Sequence, residues 1–319
     1  MPLLDPASPP LTTPPQARAH GDFSGLWVPL VTPFTAAGEA VDHAALAALV
    51  RRLGGQGIAG FVACGSTGEA AALDEGEQDA VLETILGSAG GLPVVMGLSG
   101  HHLGHAVHRA RQLGALPLAG LLVPAPHYIR PSQPGLLQWF HAIADASAVP
   151  LVLYDIPYRT GATLELGTLR TLAAHANIRA LKDCGGSAAK TQALIADAAL
   201  QVLAGEDAQI FTTAALGGAG AIAASAHWQP ARIVQCLAAL EAGDLGRARA
   251  LWRALQPLME AFFAEPNPAP VKALLAAEGW MEGALRAPMA PASAALTLRL
   301  QEAARAQARQ LDELDRPAA

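Results

Sequence analysis

The chain has 319 residues, 52% of them apolar and only 15% charged, with a net charge of -6 at pH 7. That is enough material for one large domain with an appendage and a buried core, and it excludes disorder over most of the length. The negative charge comes without basic clusters, which excludes an extended nucleic-acid or anionic-membrane footprint and favours small, soluble partners.

Residues 1–22 carry Pro2, Pro6, Pro9, Pro10, Pro14 and Pro15 and lack the charged start and apolar core of a signal peptide, so they read as a disordered tail. Further along, Gly, Pro, His or charge breaks every apolar run before the roughly 18 residues of a membrane span. Cys64, Cys184 and Cys236 stand far apart with no C-x-x-C pair. They read as free thiols in a reducing, cytoplasmic setting.

From Leu26 onward, short apolar runs alternate with longer Ala/Leu-rich segments of helical period, the pattern of successive βα units on a parallel sheet. Eight runs can be counted, at 26–32, 58–63, 93–97, 120–124, 151–154, 178–182, 202–204 and 219–224. Helices are expected between them, for example 42–53 capped by Asp42, and 74–86, where Asp74 and Glu77 make a capping box. Eight repeats favour closure. An open doubly wound sheet would ordinarily show a Gly-rich turn after its first strand, and Pro29-Leu30-Val31-Thr32-Pro33 is nothing like one.

After the eighth run the pattern turns purely helical, near 231–242, 245–263, 270–278 and 291–307, with the prolines of 265–270 separating two of these. The expectation is an α/β protein of the (β/α)8 TIM-barrel class, with a catalytic barrel over 23–242 and a C-terminal helical extension over 243–319.

Catalytic groups in such barrels come from the C-terminal ends of strands and the loops that follow. Lys182 ends the sixth run and points into a low-dielectric mouth, where a neutral amine is a nucleophile toward ketones. A lysine at a strand end more often simply reaches solvent. Tyr154 ends the neighbouring fifth run and can pass protons, although a core tyrosine with a satisfied hydroxyl is the commoner case. The stretch from Gly65 through Ser66 and Thr67 to Gly68 can offer N–H groups and hydroxyls to a carboxylate, or it is an ordinary turn. Arg159 and Tyr128 complete the polar set at strand ends. His101 and His105, with His102 between, have the i, i+4 spacing of a shared metal if a helix begins there; surface histidines at a helix start are more common, and the sequence shows no carboxylate neighbour.

Seven segments occur in one order: Pro29-Leu30-Val31-Thr32-Pro33-Phe34, Gly65-Ser66-Thr67-Gly68-Glu69, Arg130-Pro131-Ser132-Gln133, Tyr154-Asp155-Ile156-Pro157-Tyr158-Arg159-Thr160-Gly161, Leu181-Lys182-Asp183, Ala204-Gly205-Glu206-Asp207 and Glu265-Pro266-Asn267-Pro268. Together they resemble the family of dihydrodipicolinate synthase (4-hydroxy-tetrahydrodipicolinate synthase) and N-acetylneuraminate lyase, from about residue 25 to 288.

The resemblance implies that Lys182 forms a Schiff base with pyruvate and that Tyr154, Ser66 and a Tyr128 contributed across a dimer interface relay protons. Ser66 and Thr67 would hold the pyruvate carboxylate, and Ile222 would line the pocket near Gly205. The reaction implied joins pyruvate to an aldehyde with no metal or organic cofactor, in a homotetramer built from dimers.

Arg159 points to the carboxylate of aspartate semialdehyde and hence to a synthase. The rival is a lyase or aldolase of the same chemistry acting on a sugar acid, sialic acid or aromatic aldehyde, since Gly-Ser-Thr-Gly-Glu also occurs in lyases. A barrel that kept the fold and lost activity ranks last. The sequence departs from the synthases at Asp183-Cys184-Gly185-Gly186, and at the family's allosteric lysine site, where Glu75, Gln78, His101, His105 and His127 stand. Weak inhibition by free lysine is therefore expected.

Overall fold

The computed structural model describes residues 21–316; the expected disordered tail lies almost entirely outside them. Eight strands alternate with helices: β1 (Gly25–Pro29), α1 (His43–Gly54), β2 (Gly60–Ala63), α2 (Glu75–Ser88), β3 (Val94–Gly97), α3 (Leu103–Gly114), β4 (Gly120–Pro124), α4 (Gln133–Ala146), β5 (Leu151–Asp155), α5 (Pro157–Thr160), α6 (Leu166–Ala173), β6 (Ile178–Asp183), α7 (Ala188–Asp197), β7 (Gln201–Ala204), α8 (Ile210–Ala215), β8 (Gly220–Ile222) and α9 (Pro230–Glu241). The strands pair in parallel in chain order, and β8 returns to β1, closing the barrel. Three more helices follow, α10 (Leu245–Ala261), α11 (Ala269–Ala277) and α12 (Ala294–Leu314).

The period of two along each strand divides the apolar residues between two cores. Val62, Val95, Leu122, Val152, Ala180, Leu203 and Ile222 point into the barrel with Phe23 and Trp27. Their neighbours Phe61, Val94, Met96, Leu121, Val123, Leu151, Leu153, Leu181 and Val202 point outward under the helices. Gly60 is required by this plug, since a Cβ there would meet the Trp27 ring and the Pro93 carbonyl. Lys182 lies two residues beyond inward-facing Ala180, so the same alternation carries its side chain into the mouth.

Several boundaries differ from the expectation for identifiable reasons. The first run leaves the sheet after Pro29 because the Val31 N–H is taken by His227 Nε2 (3.1 Å), while Thr32 donates its hydroxyl to the Gly68 carbonyl (2.7 Å). The eighth run ends at Ile222 because Asp207 accepts from the N–H groups of Ala224 (3.3 Å) and Ser225 (2.7 Å), turning the chain into a short 3-10 segment. Both helix caps form as expected. Asp42 accepts from Ala45 N, and Asp74 and Glu77 exchange reciprocal bonds at 2.8 and 3.2 Å. The last helix begins only after its Ser293 cap and runs beyond residue 307, because its buried stripe of Leu296, Leu300, Ala304 and Gln307 continues to Leu311.

His227 ties β1 to the segment after β8 and is fully buried. Nδ1–H donates to the Ala224 carbonyl (2.8 Å), leaving Nε2 to accept from Val31, so the neutral ring satisfies both partners. Burial first, and the Arg52 charge in addition, depress its pKa to about 4. In the unfolded chain the ring takes up its proton near the ordinary value of 6.5. Its contribution is thus intact above that value and is lost as pH falls toward 4, a change of about 3 kcal/mol at most. The urea midpoint is predicted to drop across that window, and the drop should be smaller in His227→Gln; identical pH slopes in the two proteins would contradict this.

Candidate active site

β5 and β6 carry the centre of the site. Their register pairs Tyr154 directly with Lys182, so two inward-pointing side chains stand side by side at the C-terminal rim. Lys182 is only 5% exposed, and its Nζ lies 4.4 Å from the centroid of the Tyr154 ring. Burial pulls its ammonium below the ordinary lysine range, with Cys184, Asp207 and Glu206 acting in the opposite sense. Burial likewise pushes the Tyr154 phenol well above its usual value, which keeps it protonated. Its hydroxyl lies 3.5 Å from Ser66 Oγ.

Ser66 and Thr67 belong to the turn that follows β2. Gly68 N–H and Glu69 N–H bond back to the carbonyls of Gly65 (3.0 Å) and Ser66 (3.2 Å), whereas those of Ser66 and Thr67 find no acceptor among the described residues. Two adjacent N–H groups without internal partners form a small anion cradle. The turn opens on a 370 Å³ cavity lined by Ser66, Thr67, Tyr154, Arg159, Lys182, Gly205 and Ile222 among others. Gly65 instead lines an adjoining 490 Å³ cavity that shares Ser66, Tyr154 and Arg159 with the first. Gly205 has to be glycine, since a Cβ would come within 2.9 Å of Lys182 Cγ.

Tyr128 is the expected site residue that the single chain does not bring in. It is 92% exposed, with a left-handed backbone (φ 72°) on the loop after β4, and lines neither cavity. The i, i+4 pair expected on one helix does not form. α3 starts at Leu103, so His101 lies outside it; His102 Nδ1 caps the helix by accepting from His105 N (3.1 Å), and His105 Nε2 is 2.9 Å from Glu75 Oε1. Contrary to the sequence reading, that carboxylate neighbour exists, yet no cluster of three His, Cys, Asp or Glu suited to a metal occurs among the described residues.

Sequence reasoning passed over several groups in the same cavity. Asp207 is buried there, just beyond β7, and its carboxyl is raised chiefly by desolvation; its place at a strand end was the available signal. Tyr158 donates its hydroxyl to Glu206 (3.0 Å) at the rim. Asn267, from the segment read only as a helix separator, donates Nδ2 to Thr67 Oγ1 (2.9 Å), while its Oδ1 is buried without a partner among the described residues.

The model of the Dihydrodipicolinate synthetase family matches residues 22–307. The chain belongs to this family. It is 40% identical over 287 residues to a 4-hydroxy-tetrahydrodipicolinate synthase of Sorangium cellulosum, covering 89% of this chain and 95% of the relative. Among solved members, the chloride-inhibited dihydrodipicolinate synthase of Acinetobacter baumannii complexed with pyruvate superimposes with a TM-score of 0.86 at 31% identity, covering 89% of this chain and 98% of that one. The enzyme of Cyanidioschyzon merolae with lysine bound gives 0.86 at 29% identity, covering 91% and 99%. Family membership agrees with the closed eight-stranded barrel and its helical C-terminal segment.

Proposed function

We propose that this chain condenses pyruvate with L-aspartate 4-semialdehyde to give 4-hydroxy-tetrahydrodipicolinate, through a Schiff base on Lys182. The observation that carries the proposal is the buried amine of Lys182 in register with the phenol of Tyr154, in one cavity with a carboxylate cradle and an arginine. The relatives named for this activity support it over most of the chain's length.

Neutral Lys182 attacks the keto carbon, and Tyr154, with Ser66 behind its hydroxyl, returns the proton that lets water leave the carbinolamine. The Ser66–Thr67 turn holds the pyruvate carboxylate. Loss of a methyl proton converts the iminium to an enamine, whose carbon attacks the aldehyde. The substrate's own α-amine then displaces Lys182 from the imine carbon, closing the ring and freeing the enzyme. Nothing in this sequence calls for a metal or organic cofactor.

Arg159 is exposed at the rim of both cavities, where its planar fork can grip the semialdehyde carboxylate in bidentate fashion. Tyr128, exposed on a strained loop, is assigned to the site of a second copy, within a homotetramer of dimers. Free thiols at Cys64, Cys184 and Cys236 fit a cytoplasmic enzyme, and among the described residues no helix is long and apolar enough to cross a membrane.

A coupled assay with pyruvate should show turnover with aspartate semialdehyde and none with sugar-acid or aromatic aldehydes. Arg159→Lys should raise KM for the semialdehyde about tenfold or more while leaving that for pyruvate within about twofold; equal damage to both would contradict the assignment. Free lysine should inhibit only weakly. Gln78 spends its amide on the Ala70 and Leu73 carbonyls (3.2 Å each), Glu75 is paired with His105, and burial keeps His127 uncharged more readily than usual. Half-inhibition at submillimolar lysine would contradict this.

A further inference from the structure

The Ser66–Thr67 turn is held in place from the far end of the chain. Glu69, which closes it, adopts the left-handed conformation (φ 53°), a strained backbone for a non-glycine residue. Its carboxylate accepts from Lys272 Nζ at 2.6 Å, with the two side chains 2% and 0% exposed. Lys272 is the fourth residue of α11. The same ammonium donates to the Thr32 carbonyl (2.9 Å) and lies 4.3 Å from the centroid of the Phe34 ring, so each of its faces is occupied. Thr32 in turn donates its hydroxyl to the Gly68 carbonyl (2.7 Å), and the second Glu69 oxygen accepts from Arg286 N (3.3 Å).

A buried ion pair is a poor source of net stability, because desolvating two charges offsets most of their attraction. What it enforces is one geometry, since any other leaves a charge unpaired in the interior. Here that geometry fixes the residue that closes the turn, two positions after Thr67 and bonded through its own N–H to the Ser66 carbonyl (3.2 Å), and Lys272 itself lines neither cavity. We propose that Lys272, through its pair with Glu69, is a positioning residue that aims the Ser66 and Thr67 N–H groups at the carboxylate of the keto-acid substrate. The proposal rests on the reading of that turn as the pyruvate carboxylate site.

The test is steady-state kinetics combined with borohydride trapping on Lys272→Met. KM for pyruvate should rise about tenfold or more, while kcat and KM for the semialdehyde stay within about twofold and trapping at saturating pyruvate stays complete. Removing one partner leaves Glu69 charged in the interior, so Lys272→Met combined with Glu69→Gln is measured alongside; it removes both charges and should show the same selective rise. An unchanged pyruvate KM in a folded variant overturns the proposal. So does a proportional loss of kcat with both Michaelis constants unmoved, the mark of fewer intact molecules. Absence of any pyruvyl adduct on the unaltered enzyme would instead sink the carboxylate-site reading beneath it.

Discussion

An amine that water cannot fully solvate is the constraint on which the rest of the site depends. Taking an ammonium out of water disfavours the charged form, and at 5% exposure Lys182 feels that cost without any carboxylate among the described residues in hydrogen-bonding contact to repay it. Asp207 and Glu206 stand close enough to moderate the effect. Tyr154 suffers the same burial with the opposite chemical result: its phenol stays neutral and can donate. One low-dielectric pocket therefore shifts a lysine toward its neutral form and holds a phenol in its protonated form next to it.

Barrel geometry is what makes that pairing possible. Parallel strands with a period of two deliver Tyr154 and Lys182 to the same rim, because each lies two residues past an inward-facing apolar residue, Val152 and Ala180. Outside the pair, Asp155 and Asp183 extend the same strands. Asp155 holds Lys190 and the Leu164 N–H, and Asp183 holds the Gly185 N–H and Thr191. These carboxylates brace the two strand ends.

Much of this was legible in the sequence because buried parallel strands read as short apolar runs, and their ends mark the catalytic face. The strand at 120–124 matched residue for residue, and the motif around Lys182 located the amine. Helix starts were legible at Asp42 and Asp74 because capping is a local interaction. Strand ends at Pro29 and Ile222 were not, since His227 and Asp207 set them from elsewhere in the chain. The same distance in sequence hid the supports of the Ser66–Thr67 turn: Asn267 is 200 residues from Thr67, and Lys272 is 203 from Glu69. No local pattern reports such pairs. The exposed loop of Tyr128, with its left-handed backbone, is unexplained by one chain alone.

The central claim is that Lys182 captures a ketone, and it is tested most directly by borohydride reduction in the presence of pyruvate, followed by intact-mass analysis and peptide mapping. One reduced pyruvyl group on the peptide carrying Lys182, lost in Lys182→Ala, is the expected result. A protein that turns over pyruvate yet carries no adduct, or carries it on another lysine, would contradict the account.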